Sequence, residues 1–302
     1  GGPGRYRGGN GLGTAFIAHK AAALGAQSLS IDPALNGTLG LGGGYPGNPG
    51  AVRGRPDAGI SAVLAAGGLP GDRAALEAAV GDLPRVAPNG GTDIGDDGVL
   101  VVEYCASGGF GDPLRRDPGR VAADVSDGAL TPEVAGRCYG VVLEDGAVDE
   151  AATRQRRDEL RQGRVEAARP PASPLDVGPV EPDGIVLRVT DGVGLARHGT
   201  GLVWACSACR RALAPAGENF RQGCGRLERA PHQVDEMYPD PTEYGDEPFV
   251  IRQWICPGCG QLASTEFCRP GDEPLWDIRL ADHALAELAR TGPPSPGAEG
   301  GA

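Results

Sequence analysis

The stretch WACSAC, residues 204–209, ends an apolar run with two cysteines that are separated by two residues. A second stretch, ICPGCG at residues 255–260, repeats this arrangement, and 46 residues (210–255) lie between the two cysteine pairs. A CxxC turn at the end of a strand directs two sulfurs at one point, so two such turns can surround one metal ion. The sequence therefore predicts a small β-rich, zinc-ribbon-like domain built around both pairs.

The two cysteine pairs are compatible with a metal site, a thiol redox site or local disulfides. A redox pair needs a nucleophilic cysteine at the start of a helix in a βαβ unit, but the residues after the first pair, RRALAP, reach a proline too early for a long helix. We therefore favour zinc, with Cys206, Cys209, Cys256 and Cys259 as its ligands. Since four protein ligands leave no position for water, the predicted role of the zinc is structural.

Three further residues are candidates for this site, and the sequence leaves their roles open. Cys224 or Cys268 could replace a ligand, the two could form a disulfide, and His232 is another candidate ligand. The simpler expectation is a partly buried free thiol or a surface imidazole at each position. Cys105 and Cys138 are expected to pack as small apolar side chains in a strand and a helix.

The gap between the cysteine pairs is longer than in common zinc ribbons, and an acidic stretch accounts for the excess. VDEMYPDPTEYGDEP, residues 234–248, contains six carboxylates and no basic residue. Because clustered like charges repel one another and stay exposed, we expect a solvated loop rather than an acid/base site.

Composition and charge narrow the classes of partner. The chain of 302 residues has a net charge of −12, so it gains nothing from displacing phosphate counterions and we expect no nucleic-acid partner. No apolar run approaches the roughly 18 residues of a membrane span. The chain opens on GGPGRYRGG, with neither an initiator methionine nor a secretory signal pattern. We therefore expect a cytoplasmic fragment whose N-terminal part is missing, and this compartment favours metal over disulfides.

The pattern along the chain predicts an α+β fold, in which residues 1–166 form a Gly-rich, β-containing domain followed by short helices. The apolar stretches TAFIAHKAAAL (14–24) and VLVVEYC (99–105) are expected to form buried strands or one short helix. NGTLGLGGGYPGNPG (36–50) is too rich in glycine for a regular element, so we expect a loop whose backbone passes close to other backbone.

Four helices of this first region are predicted from their capping residues. One helix begins after Asp72, a second after Asp117 and a third after Thr131, the last two with proline at the first helical position. The fourth helix begins at Asp149 and is predicted to stop at Gly163.

The remainder of the chain is divided by composition. Residues 167–183 are rich in proline and predict a linker with little to bury. Residues 184–292 predict the zinc-binding domain, which opens with a hairpin at Asp191-Gly192 and closes with the helix ADHALAELARTG. Residues 293–302 predict a disordered tail.

Outside the cysteines, the sequence offers one further candidate site. Arg5 and Arg7 flank Tyr6 between glycines, and two guanidinium groups on a tight loop could bind an anion or an anionic substrate. No catalytic triad, HExxH motif or pair of catalytic carboxylates can be assembled from linear spacing. The catalytic residues are therefore unknown from the sequence.

Two known families resemble different parts of the chain. GGPGRYRGGNG at the start and SGGFGDPLRRDPGRVAADVSDGALTPEVAGRCYGVVL (107–143) resemble the C-terminal part of the hydantoinase B/oxoprolinase family. LVWACSACRRALAPAGENFRQG (202–223) and FVIRQWICPGCGQLASTEFCRPGDEPLWDIRL (249–280) resemble the acetone carboxylase gamma subunit family, a small zinc-binding module. The chain looks like the two joined in one polypeptide.

This resemblance implies a subunit of an ATP-dependent, biotin-independent carboxylase that acts on a ketone or a related carbonyl compound. It also implies a hetero-oligomer with a hydantoinase A-like subunit that uses ATP. ATP and a catalytic metal are expected in the complete complex and not in this chain, since the family's His- and Asp-rich metal-binding region lies upstream of GRYRGG. The alternatives are a subunit of an ATP-dependent hydantoinase- or oxoprolinase-type hydrolase of cyclic amides, and a non-catalytic assembly module.

Overall fold

The computed structural model describes residues 1–29, 38–86, 89–182, 184–243 and 245–291. It confirms the α+β class: small antiparallel sheets alternate with short helices. The described strands are β1 Gly13–Phe16, β2 Ala23–Leu29, β3 Ala51–Arg55, β4 Asn89–Gly95, β5 Val99–Glu103, β6 Leu143–Glu144, β7 Ala147–Val148, β8 Ile185–Arg188, β9 Val193–His198, β10 Gly201–Cys206, β11 Ala212–Pro215, β12 Gly225–Arg229, β13 Val250–Ile255 and β14 Leu262–Cys268. The described helices are α1 Ile60–Ala65, α2 Arg73–Val80, α3 Pro118–Ser126, α4 Pro132–Cys138, α5 Glu150–Ala167, α6 Pro231–Val234 and α7 Asp282–Thr291.

The first region is built on a three-stranded sheet in the order β1-β5-β3. The apolar run at 99–105 forms the central strand β5 as expected, and its first residues pack with α1 and α2 in a small core. The run at 14–24 was expected to be buried, but it divides into the edge strand β1 and the start of β2, and Phe16 is 41 % exposed. An edge strand has a neighbour on one side only, so apolar composition does not ensure burial.

The predicted helix starts are confirmed by hydrogen bonds from the capping side chains. Asp72, Asp117, Thr131 and Asp149 each accept a bond from a backbone N–H of the first turn. The predicted stop at Gly163 is wrong, because α5 continues to Ala167. An internal glycine costs a helix only about 1 kcal/mol, and packing of the next turn against the rest of the protein offsets that cost.

The C-terminal region contains two antiparallel sheets, ordered β11-β10-β9-β8 and β12-β13-β14. The predicted hairpin is confirmed, with residues 189–192 joining β8 to β9. The two sheets share a core of buried side chains that includes Trp204, Leu213, Phe220 and Trp254. Each sheet has one strand that runs directly into a cysteine pair, which places the two pairs at a common edge.

The predicted linker has more to bury than its composition indicates. Val180 is 4 % exposed and packs with β9, β10 and β11 residues, while Arg169 and Pro179 form isolated bridges with Arg226 and Arg211. Proline has no backbone N–H to donate, which prevents regular pairing with a β-sheet. It does not prevent side-chain contacts or isolated backbone hydrogen bonds. The segment therefore lies along the surface of the C-terminal sheets. The predicted tail lies outside the described residues.

Two further expectations about exposure are wrong. The acidic stretch at 234–248 is not fully solvated, because the Asp235 side chain is 4 % exposed and pairs with Arg137 at 2.8 Å. Cys105 lies just beyond β5 and is exposed rather than packed. Within the described residues, no helix is long and apolar enough to cross a membrane.

Candidate metal centre

The two cysteine pairs form backbone turns of the same geometry. In the first turn, Arg210 N–H donates to the carbonyl oxygen of Cys206 at 2.9 Å, and Cys206 N–H donates to the carbonyl oxygen of Arg211 at 2.9 Å. In the second turn, Gly260 and Gln261 make the equivalent two bonds with Cys256, at 3.0 and 2.8 Å. Both turns follow a strand whose register shifts just before the cysteine. The repeated geometry follows from the repeated strand-CxxC sequence.

The four predicted ligands come together in one cluster. The Sγ atoms of Cys206 and Cys259 are 3.7 Å apart, those of Cys209 and Cys256 are 3.5 Å apart, and the four lie within 4.8 Å of one another. Sulfurs at about 2.3 Å from a tetrahedral zinc ion are about 3.8 Å from each other. The cluster therefore has the size that a tetrahedral ion such as zinc requires, and it could hold a metal ion.

Hydrogen bonding among the four thiols separates their proton affinities. It raises the pKa of Cys206 and Cys256 and lowers the pKa of Cys209 and Cys259. The backbone N–H groups of Arg211 and Gln261 add to the lowering, because each donates to the sulfur two residues before it. These N–H groups would stabilise thiolates, which are the form that binds a metal.

The two turns differ at the residue that follows the second cysteine. Both residues have left-handed backbone, with φ 64° at Arg210 and φ 72° at Gly260. A Cβ added at Gly260 would lie 2.3 Å from the carbonyl oxygen of Arg161 in α5. Glycine is required in the second turn because the helix backbone packs directly against it, whereas the first turn accepts an arginine.

A buried ion pair attaches the first region to the second turn. The fully buried Asp112 accepts from Arg164 Nη1 at 2.9 Å and from Leu262 N–H at 2.9 Å. Arg164 Nη1 also donates to the carbonyl oxygen of Gly260 at 3.2 Å. Burial has the largest single effect and would lower the pKa of Arg164, but the charges of Asp112 and Tyr45 and the hydrogen bonds to them together outweigh it, and the pKa is raised. The pair thus fixes the position of β14, the strand that follows the second cysteine turn.

Sequence reasoning did not identify this pair. Asp112 precedes Pro113 and caps a short 3-10 helix, and that signal is visible in the sequence. Nothing in the spacing connects it with Arg164 or Leu262, which lie 52 and 150 residues away.

The other candidate ligands lie outside the cluster. Cys224 is a buried free thiol that donates to the carbonyl oxygen of Phe220 at 3.5 Å, and burial raises its pKa to about 12. Cys268 is a partly buried free thiol on β14, so no disulfide joins the two. His232 lies on α6 with Nδ1 3.6 Å from Asp240. Cys138 is partly buried at the end of α4, and its thiol lies 3.3 Å from an Asp235 oxygen.

The predicted anion-binding arginines are both close to carboxylates of the protein. Arg5 Nη1 lies 2.5 Å from Asp191, which also binds Arg115 at 3.2 Å. Arg7 Nη2 lies 3.3 Å from Asp124. An incoming anion would have to compete with these two carboxylates, and the anion site stays a prediction.

The antiparallel sheets and the facing cysteine turns define a zinc-ribbon-like module with a four-thiol cluster in the C-terminal region. Residues 182–287 match the acetone carboxylase gamma subunit family. The chain is also 32 % identical over 93 residues to the acetophenone carboxylase beta subunit of Aromatoleum aromaticum, a match that spans 30 % of this chain and 71 % of that protein. The chain therefore belongs to the acetone carboxylase gamma subunit family.

A second relative matches a small part of a much longer protein. The chain is 42 % identical over 77 residues to the acetone carboxylase alpha subunit of Xanthobacter autotrophicus, which is 24 % of this chain and 10 % of that protein. The solved structure of acetone carboxylase in its nucleotide-free form is 28 % identical to this chain, with a TM-score of 0.44. The match covers 56 % of this chain and 24 % of the acetone carboxylase chain. The ATP-dependent caprolactamase of Pseudomonas jessenii is 21 % identical, with a TM-score of 0.35. The match covers 51 % of this chain and 24 % of the caprolactamase chain.

Proposed function

We propose that this chain is a subunit of an ATP-dependent, biotin-independent carboxylase that adds a carboxyl group to a ketone or a related carbonyl compound. The observation that carries the proposal is the combination of two carboxylase likenesses in one chain. Part of the chain is similar to an acetone carboxylase alpha subunit, and residues 182–287 belong to the gamma subunit family. The buried Asp112–Arg164 pair binds the backbone of Gly260 and Leu262, and these bonds support the view that the two regions act as one unit.

The four-thiol centre is proposed to bind zinc in a structural role. Cys206, Cys209, Cys256 and Cys259 would fill the four positions of a tetrahedral ion, so no position is left for water or substrate. Cys206 and Cys256 are fully buried within the core that the two sheets share. Zinc bound there would stabilise the fold, and the chemistry would take place elsewhere in the complex.

The partner proposed for this chain is a hydantoinase A-like subunit that uses ATP, in a cytoplasmic hetero-oligomer. The support is that the relatives are subunits of named carboxylases. ATP and a catalytic metal would be bound in the complete complex, and this chain alone would have no turnover.

Reconstitution of this chain with a hydantoinase A-like subunit and a hydantoinase B-like subunit tests the function. We expect ATP hydrolysis that requires both bicarbonate and a ketone, together with incorporation of labelled bicarbonate into an acid-stable product. Acetone and acetophenone are the first ketones to compare. Hydrolysis of a cyclic amide without bicarbonate would instead establish the hydrolase alternative. Assembly without turnover on either substrate would leave only the assembly role.

A pair of variants separates the role of the metal centre from that of other thiols. Cys256→Ser with Cys259→Ser removes two proposed ligands, whereas Cys105→Ser changes an exposed thiol outside the centre. We expect the first variant to lose zinc and to fail to assemble, and the second to retain both properties. Full zinc content in the first variant would contradict the ligand assignment.

A further inference from the structure

A cavity of 340 Å³ lies between the first region and the C-terminal sheets. One wall is formed by α4, α5 and Tyr45, which lies in the glycine-rich loop that follows residue 37. The other wall is formed by the end of β12, by β13, and by α6 and the residues that follow it. We infer that this cavity binds a small organic carboxylate that also carries a hydroxyl group. The inference does not depend on carboxylase activity.

The charge of the cavity favours an anion. Three of its four arginines are each paired with a protein carboxylate: Arg137 with Asp235 at 2.8 Å, Arg156 with Glu159 at 3.5 Å and Arg164 with Asp112 at 2.9 Å. Arg229 is the fourth, at the end of β12, and no described carboxylate pairs with it. A chain with net charge −12 thus presents an uncompensated guanidinium at this cavity, and a carboxylate is a matching partner.

A buried amide in the wall lacks a partner for one of its atoms. Gln253 is 2 % exposed and lines the cavity, and its Nε2 donates to the phenol oxygen of Tyr45. Among the residues that the structure describes, Gln253 Oε1 has no hydrogen-bond partner. Because buried carbonyl oxygens are nearly always bonded, this atom would accept a hydrogen bond from a donor that occupies the cavity.

The remaining polar groups of the wall are already satisfied within the protein. The Tyr238 hydroxyl donates to the carbonyl oxygen of Pro46 at 2.7 Å. Asp235 accepts from Arg137 and from the Cys138 thiol. This leaves Arg229, Tyr45 and Gln253 for a ligand.

These three groups specify the ligand. The Tyr45 oxygen accepts from Gln253 and from Arg164, and its own O–H would donate to a carboxylate beside Arg229. Gln253 Oε1 would accept from the ligand's hydroxyl. The cavity volume is large enough to admit an acid of a few carbons. A short hydroxycarboxylate provides both functions in one molecule.

Calorimetric titration of the full chain with 3-hydroxybutyrate tests this inference, with butyrate and butan-2-ol as probes that each lack one functional group. We expect binding of 3-hydroxybutyrate that is at least about tenfold tighter than either probe. Arg229→Gln should weaken it by about tenfold or more. Arg226→Gln, on the same strand but outside the cavity lining, should leave it unchanged.

Gln253→Met keeps the length of the side chain and removes the amide. We expect this variant to bind 3-hydroxybutyrate and butyrate equally. Absence of binding to the unmodified chain at millimolar concentrations would overturn the inference, and so would equal binding by the Arg229→Gln and unmodified proteins. Equal affinity of the unmodified chain for butyrate would overturn the role of Gln253.

Discussion

Substitution of Gly260 by alanine tests how the second cysteine turn is held against α5. Gly260 has φ 72°, and an added Cβ would lie 2.3 Å from the carbonyl oxygen of Arg161 and 2.7 Å from its carbonyl carbon. These are backbone atoms in the middle of a helix, so they cannot rotate away. The methyl group can be accommodated only if the helix and the turn separate, which would also lengthen the hydrogen bond from Arg164 to the Gly260 oxygen.

Two costs contribute to the expected loss of stability. The left-handed conformation costs a residue other than glycine about 1–2 kcal/mol. Insertion of a methyl group into a packed contact costs about 1–3 kcal/mol. We therefore expect Gly260→Ala to reduce the free energy of unfolding by about 2–5 kcal/mol, and zinc affinity to fall with it because the turn carries two of the proposed ligands.

The first cysteine turn provides an internal control. Arg210 occupies the equivalent position with φ 64°. Comparison of Arg210→Gly with Arg210→Ala gives the conformational cost alone, about 1–2 kcal/mol. Denaturant unfolding followed by tryptophan fluorescence, in saturating zinc, measures all three variants, since Trp204 and Trp254 lie in the shared core.

The difference between the two turns isolates the contact with α5. If the glycine-to-alanine difference at 260 is no larger than at 210, helix α5 does not pack on this turn as described, and the reasoning fails.

Three other perturbations follow from the structure. Asp112→Ala leaves Arg164 buried without its charged partner and should lower the free energy of unfolding by about 3–5 kcal/mol, as measured by denaturant unfolding. The control Asp117→Ala removes an exposed helix cap and should lower it by about 1 kcal/mol. Equal losses in the two variants would show that the buried pair does not stabilise the fold. Burial raises the pKa of Cys138 from 9.0 to about 12, so the contribution of this thiol to folding stability is complete below pH 9 and is lost as the pH rises toward 12. Cys138→Ser should therefore make stability decline less steeply between pH 9 and pH 12. An unchanged pH profile of stability would contradict this. Chelation should remove one zinc per chain and shift the tryptophan emission to longer wavelength, and an unchanged spectrum after complete zinc removal would argue against a structural role.

The features that the sequence predicted well are those encoded within a few residues. Asp117 and Thr131 precede proline and cap helices because the capping bond spans only three residues. The strand-CxxC pattern determined both turns, and their equivalence made a shared four-thiol cluster the expected result. The stop at Gly163 failed because a local rule was applied where contacts beyond the helix decide.

The sequence by itself determined the class of the fold, the helix starts and the identity of the four clustered cysteines. Only the tertiary structure decided which polar groups are buried together. Asp112 and Arg164 of the first region meet the backbone of Leu262 and Gly260 in the second, and the buried Asp235 pairs with Arg137. Such pairs form between residues far apart in the chain, and their stability depends on exclusion of water by the packed elements around them. No periodicity or spacing in the sequence records that exclusion.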